Sequence, residues 1–344
     1  MKIAFFLYGI PQNGGTKVLF RVGNLLHQRG HEVTYYVATR WRELPFPSQC
    51  AFIFASRDYP NAVGRIPWLA RVPIQADIAI ATSHPTAHAL AWNNSPVSRR
   101  LYYVQAYEPG FYSDSAEQLL TRWPMMLLAG ASYLLPLEKI VNCDGSRKGL
   151  SSKDQARAPE LPPGIDLALY RPREKNNSEP VIGHISRREP WKGSDHFFEA
   201  MVRLRDKGHR FRVRVAYDLW PQTHGLEYES VHPKTEAELA AYYAGLDVLV
   251  STVTQKGFGY PPLEAMACGA LCVSTPIDFG CAGVDHIPIL AHSTGSIVNV
   301  VERALSQPDH LSMIAAGLQT ASNYDWEILA DRWCELLCCS NRPS

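Results

Sequence analysis

The chain opens with an apolar run, KIAFFLYG at 2–9, and then changes period, with Val18, Val22, Leu25 and Leu26 recurring at helical spacing between Thr16 and Gln28. Apolar side chains three and four residues apart line one face of a helix, whereas a short continuous apolar run suits a strand buried on both faces. The pattern predicts a strand at 2–9, a helix at 16–28 and, after Gly30, a strand at 33–38 (VTYYVA). DIAIAT at 77–82, LYYVQ at 101–105 and SYLLP at 132–136 predict further strands. Such alternation argues for a mostly parallel sheet with helices on both faces.

The alternation stops in a polar stretch at 147–160 and in PPGIDLALYRPREKNNSEP at 162–180, which is dense in Pro, Asn and charge and marks a domain boundary. It restarts with PVIGHIS at 180–186, a helix near 194–207, FRVRVAY at 211–217, a helix at 235–244 and DVLVS at 247–251. Two α/β units of similar size are expected, 1–170 and 171–322, with a cleft between them as the default site. The tail from about 308 to 337 is helical by period and carries Trp326, Ile328, Leu329 and Trp333. Its last part, 323–344, is expected to cross back onto the first domain.

Composition narrows this picture without changing it. A chain of 344 residues suits about two domains, and 46% apolar with 19% charged residues excludes disorder as the main state. Residues 1–170 hold 17 basic against 12 acidic residues, and the remainder 17 against 21, so the halves differ in sign. That asymmetry suits an anionic acceptor or membrane surface on the first half, and equally plain solubility charge; nucleic acid is not expected as a partner. The eight cysteines form neither zinc-like pairs nor a disulfide framework, and Cys268 and Cys272 read as small buried hydrophobes. No metal site is expected. MMLLAGASYLLPL at 125–137, the longest apolar candidate, breaks at Pro136, short of the roughly 18 residues of a membrane span. The opening run ends at Gly9 and Pro11 without a cleavage pattern and reads as a buried strand rather than a signal peptide. A cytoplasmic location is expected, with peripheral contact at the inner membrane face as an addition.

Candidate chemistry collects where predicted strands end. Gly14 and Gly15 follow the first strand, where bare amides at a helix start favour a phosphate or carboxylate, although neither GxGxxG nor GxxxxGK is present. Arg187 and Lys192 in SRREPWKG can hold a diphosphate by charge-assisted hydrogen bonds, or simply be a solvated loop. In TQKGFGYPPLEAMACG, Glu264 follows Pro261 and Pro262 near a helix start; it suits either the helix dipole or sugar and ribose hydroxyls, while the amides of Gly257, Phe258 and Gly259 suit phosphate or sugar oxygens. His84, in SHP, follows another strand. Gln105, Tyr107 and Glu108, in YYVQAYEPGFY, form an aromatic and polar surface suited to a carbohydrate, or else a core edge.

Together these residues resemble the GT-B glycosyltransferases, specifically the large retaining, nucleotide-sugar-dependent group often called family 4. The resemblance runs over nearly the whole chain: the early glycine pair, Arg187 to Lys192 before Gly193, Gly164 and Asp166 in PPGIDLALYRP, the segment from Lys256 to Glu264, and the Trp326 helix. It implies a GT-B fold, two Rossmann-like α/β/α domains facing across a cleft, with the second holding a nucleoside diphosphate sugar, dTDP- or UDP-linked, and the first most of a glycan or glycolipid acceptor. It further implies metal-independent transfer with retained anomeric configuration and no cofactor besides the co-substrate. Arg187 and Lys192 would bind the diphosphate and Glu264 the ribose; Gly14 and Gly15 would approach donor or acceptor; Lys256, Gly257, Phe258, Gly259 and Tyr260 would lie along the donor; His84 would approach the transferred sugar.

The chain departs from that pattern twice: Lys256 stands where the family's first glutamate is expected, and Tyr107 where a histidine is common. An ammonium donates hydrogen bonds only, so Lys256 leaves the sugar open. The QAYEP segment is similar to that of bacterial surface-polysaccharide rhamnosyltransferases, which implies a 6-deoxysugar donor such as rhamnose. A uronic acid donor paired with Lys256, a secondary-metabolite acceptor and a non-catalytic sugar-nucleotide or glycan-binding subunit remain the alternatives.

Overall fold

Strand β1 (Lys2–Leu7) is buried at every position after Lys2, because in this computed structural model it lies between two parallel neighbours, with Phe5 opposite Tyr35 on one side and Ile80 on the other. The structure describes all residues except 42, 60, 114–118, 254–257, 278, 280–281, 307–309 and 339–344. Helix α1 (Gly14–Gln28) follows, capped by Asn13, whose side chain accepts the Thr16 amide at 2.9 Å. It starts at Gly14 rather than Thr16, and its buried stripe includes Val18, Val22, Leu25 and Leu26.

The first sheet continues with β2 (Glu32–Val37), β3 (Ala51–Phe54), helix α2 (Ala62–Arg71), β4 (Ile78–Ala81), helix α3 (His84–Trp92), β5 (Arg99–Val104), helices α4 (Gly110–Ser113) and α5 (Leu119–Ser132), β6 (Glu138–Val141) and a short helix α6 (Ser152–Arg157). Its order is β3-β2-β1-β4-β5-β6, all parallel. The strand expected at 132–136 is not there. Ser132 closes α5, and the amides of Tyr133, Leu134 and Leu135 turn back to the carbonyls of Gly130, Ala131 and Ser132. Leu134 is 78% exposed and the Lys139 ammonium bonds the Leu135 carbonyl, so this apolar run is a turn and the strand begins at Glu138.

The second sheet is built from β7 (Val181–Ile185), helix α7 (Ser194–Asp206), β8 (Arg212–Ala216), β9 (Glu229–Val231), helix α8 (Glu236–Ala244), β10 (Val248–Ser251), helix α9 (Tyr260–Ala267), β11 (Leu271–Ser274), β12 (Ile287–Pro288) and helix α10 (Thr294–Ser306). Its order, β12-β11-β10-β7-β8-β9, is again all parallel. Val213, Val215, Val250 and Val273 of the sheet pack against Phe197, Met201 and Leu204 of α7 and Ile297 and Val301 of α10. The helical tail comprises α11 (Leu311–Ser322) and α12 (Trp326–Cys338). The break comes where Ile165 exchanges backbone hydrogen bonds with Tyr324 (2.7 Å) and Trp326 (3.2 Å).

By contacts the chain divides into one unit of Met1–Pro163 with Glu327–Ser344 and a second of Gly164–Trp326. The bridge at Ile165 draws Gly164 onward into the second unit, whereas Leu161 still bonds the Val141 carbonyl of the first. Helix α12 packs on the first unit: Trp333, 1% exposed, meets Tyr103 edge-on at 5.1 Å, and Arg29 pairs with Glu327 and Asp331.

Candidate functional site

In both sheets the strand order reverses beside the first strand, between β1 and β4 and between β7 and β10. Loops leaving the carboxyl ends of two strands diverge at such a point and leave a crevice, where ligands of open α/β sheets bind. The second unit has a cavity of about 450 Å³ there, lined by Arg187 and Lys192 after β7, Thr252 and Val253 after β10, Phe258, Gly259, Tyr260 and Pro262 around the start of α9, Ser274 at the end of β11 and Thr275 to Ile277 beyond it.

Arg187 lies with its guanidinium 4.5 Å from the Tyr217 ring centre and donates to the Ser186 carbonyl at 3.2 Å. Burial lowers the Lys192 pKa, the neighbouring charge of Arg187 lowers it further, and Glu189 acts in the opposite direction. Among the described residues no carboxylate forms an ion pair with either cation. Two like charges on one cavity wall, with no carboxylate ion-paired to either among the described residues, are the arrangement that favours an anion.

A buried histidine orders this loop. His184 (2% exposed) is held neutral, its pKa lowered to about 4 by burial. Its Nδ1 lies 3.0 Å from the Val250 carbonyl, which only accepts, so Nδ1 carries the proton and Nε2 accepts from the Ser194 hydroxyl at 3.0 Å. The Ser194 oxygen in turn accepts the Arg187 amide at 3.2 Å. Between them, Gly193 adopts φ +69°, and a Cβ there would stand 2.6 Å from His292 Nε2 and 2.7 Å from the Thr252 carbonyl. Only glycine fits both the backbone and the space.

Gly259 (φ +82°) caps α9, with Pro261 and Pro262 in the first turn, and Phe258 is anchored against Phe279 (5.0 Å) and Tyr324 (5.5 Å). Lys256 and Gly257 lie outside the described residues. The helix begins at Tyr260, so Glu264 falls beyond its first turn, and the dipole reading of this carboxylate is corrected. Glu264 is 5% exposed and is not among the cavity's lining residues. Burial, and then the Glu264 carboxylate, raise the hydroxyls of Tyr170 and Tyr243 above the ordinary phenol range.

At the corresponding edge of the first unit the Glu108 carboxylate is engaged from within. Gly14 and Gly15 are exposed in the first turn of α1; a Cβ on Gly15 would stand 3.4 Å from Gln105 Oε1, and none would meet anything at Gly14. Gln105 donates to the Thr82 carbonyl at 3.3 Å, which ties the segments after β4 and β5 together. Glu108, expected to face a sugar, is 7% exposed: it accepts the His84 amide at 2.8 Å, at the start of α3, and the Tyr102 hydroxyl at 2.6 Å. Burial raises its pKa to about 7 against those two hydrogen bonds. His84 is 5% exposed and neutral, with a pKa lowered to about 4 by burial and then by His88. Its Nε2 lies 2.9 Å from the Tyr112 hydroxyl, and its Nδ1 is buried without a partner among the described residues. Tyr107 packs beside Gly110 and Gly149 under the Lys148 ammonium.

His184, Ser194, Tyr217, Ser274 and His292 have no place in the sequence reading. His184 alone had a signal, an ionisable residue inside an apolar strand; Ser194 opens α7, Ser274 ends β11, and Tyr217 and His292 lie in loops, places whose partners are set by tertiary contacts.

The two parallel six-stranded sheets, each covered by helices, make this a two-domain, Rossmann-like GT-B fold. Residues 179–307, within the cavity-bearing unit, match the family model described as Glycosyl transferases group 1. D-inositol 3-phosphate glycosyltransferase from Gordonia bronchialis is 25% identical over 213 residues, covering 52% of this chain and 46% of that protein. The chain spans about half the length of the curated relatives it matches. Among solved structures, sucrose-phosphate synthase from Thermosynechococcus elongatus aligns with a TM-score of 0.79 at 16% identity over 98% of both chains. WaaG, a glycosyltransferase involved in lipopolysaccharide biosynthesis, aligns with 0.68 at 16% identity over 98% of this chain and 100% of the other.

Proposed function

We propose that the protein transfers a sugar from a nucleoside diphosphate donor to a glycan or glycolipid acceptor, with retention of anomeric configuration and without a metal. The observation that carries this reading is the pair Arg187 and Lys192 on the wall of one cavity, with no carboxylate ion-paired to either among the described residues. Sugar transfer breaks the bond between the anomeric carbon and a diphosphate oxygen, and negative charge grows on that oxygen as the bond lengthens. Two fixed cations stabilise the departing diphosphate more than the intact donor, which is what accelerates the step. In this reading the diphosphate also takes the proton of the incoming acceptor hydroxyl on the same face of the sugar, so no side-chain base is assigned.

The glycosyltransferase names carried by relatives and the group 1 match over 179–307 support the reaction class. A rhamnose-type 6-deoxyhexose donor rests on the QAYEP resemblance alone. Thermal-shift measurements with UDP, dTDP, GDP and ADP sugars test the reading, because a ligand of the folded state raises its stability. Stabilisation by one base is expected; none from any of the four would overturn it. Turnover of dTDP-rhamnose against UDP-glucuronate then separates a 6-deoxysugar from a uronate.

Peripheral membrane contact belongs to the same proposal. Trp123, Leu127, Leu128 and Leu134, on α5 and the turn after it, are between 46% and 78% exposed, a concentration of exposed apolar side chains within one short stretch of chain that suits a membrane surface. Flotation with anionic phosphatidylglycerol vesicles is expected to carry the protein, and Trp123→Ser with Leu127→Ser to abolish this.

A further inference from the structure

Two consecutive non-glycine residues after β8, Tyr217 (φ +71°) and Asp218 (φ +41°), hold left-handed backbone conformations that L side chains rarely adopt. Such strain persists only where surrounding contacts over-determine it. Here the Ser186 hydroxyl, from a residue 0% exposed, accepts the amides of Leu219 (3.1 Å) and Trp220 (3.0 Å), while the Ser186 amide donates to the Ala216 carbonyl at 3.0 Å. The Tyr217 amide bonds the Val231 carbonyl at 2.8 Å, and the Asp218 carboxylate takes the Tyr228 hydroxyl at 2.8 Å. The turn is thereby tied to the residue directly before Arg187, and its result is the Tyr217 ring 4.5 Å from the Arg187 guanidinium.

We propose that Tyr217 is a positioning residue for the anion site: its ring face holds the Arg187 guanidinium in place while leaving the guanidinium's edge open to a diphosphate. The inference rests on the donor-site reading above and names a residue that reading does not contain. A guanidinium has five N–H donors around its planar edge, and a carboxylate partner would occupy two of them and cancel the charge. An aromatic face attracts the cation through its quadrupole and takes none of those donors. Arg187 gives one bond to the Ser186 carbonyl and stacks on Tyr217, so its charge stays available beside Lys192. Tyr217 does not line the cavity, so its effect passes through Arg187.

The test uses the full chain and calorimetric titration with two probes: inorganic pyrophosphate, and whichever of UDP, dTDP, GDP and ADP raises the melting temperature most. Tyr217→Phe keeps the ring and is expected to bind within about twofold of the parent. Tyr217→Leu keeps bulk without a π face, and Tyr217→Gly removes the side chain while relieving the positive φ. Both are expected to bind roughly three- to tenfold more weakly, and Tyr217→Gly to melt no lower than Tyr217→Leu. In an Arg187→Ala background the Tyr217 substitutions are expected to change nothing further, an outcome that a purely structural role does not give. Parent-like binding by Tyr217→Leu, or a full additional loss in the Arg187→Ala background, overturns the inference. If Arg187→Ala itself binds both probes as the parent does, the donor-site reading fails instead.

Discussion

At the carboxyl edge of the first sheet a carboxylate, Glu108, is buried and engaged by donors, whereas at the matching edge of the second sheet two cations face a cavity with no ion-paired carboxylate among the described residues. Both edges arise from the same parallel topology and the same reversal of strand order. The first engages its carboxylate internally: the Glu108 side chain joins the start of α3 to β5, and the Glu108 amide donates to the Tyr133 hydroxyl at 2.9 Å. The second withholds its charge from the protein. A fold supplies a crevice, and the chemistry of the crevice depends on whether its charged groups are satisfied internally.

Arg187→Ala and Lys192→Ala would break this contrast most severely. Each is expected to lower turnover about a hundredfold or more with an unchanged melting temperature, since neither cation forms an ion pair with a carboxylate among the described residues. Glu108→Ala should do the reverse. It strands the His84 amide and the Tyr102 hydroxyl, costs about 2–3 kcal/mol in urea unfolding, and leaves nucleoside diphosphate affinity unaltered.

Acidity sharpens the same point. With its pKa raised from 4.5 to about 7, Glu108 holds more proton in the folded than in the unfolded chain across that window, so its contribution to stability falls as pH rises from 4.5 to 7. His84, lowered from 6.5 to about 4, holds less, and its contribution rises with pH over 4 to 6.5. The two slopes oppose each other where they overlap. Glu108→Gln removes one of them, so the unfolding free energy of that variant, from urea titrations, is expected to climb from pH 4.5 to 6.5 by on the order of 1–2 kcal/mol relative to the parent. Gly193→Ala is expected to cost about 1–2 kcal/mol from the φ of +69°, to which the displacement of the Thr252 carbonyl adds, and to weaken nucleotide binding as Thr252 and His292 give way.

Much of this was legible in the chain. Strands β1, β4, β7 and β10 are buried on both faces, and a continuous apolar run records that directly. Edge strand β3 shows only partial burial, so its short run gave no comparable signal. The apolar residues at 132–136 misled because hydrophobicity does not distinguish a strand from a turn beside an apolar helix. Arg187 and Lys192 were visible as cations just past a predicted strand. Glu108 looked like a binding residue because Tyr102 and the amide of His84, which satisfy it, arrive from separate parts of the chain.

What the sequence by itself determined is the succession of strands and helices, the two-unit α/β plan and the position of a basic loop at a strand's end. These depend on periodicity and on neighbours a few residues away. The tertiary structure alone decided which carboxylate is consumed by the fold, which histidine is locked neutral, and that a strained turn at Tyr217 backs Arg187. Each of those outcomes depends on desolvation and on partners brought together from distant strands, and neither quantity is written in local order.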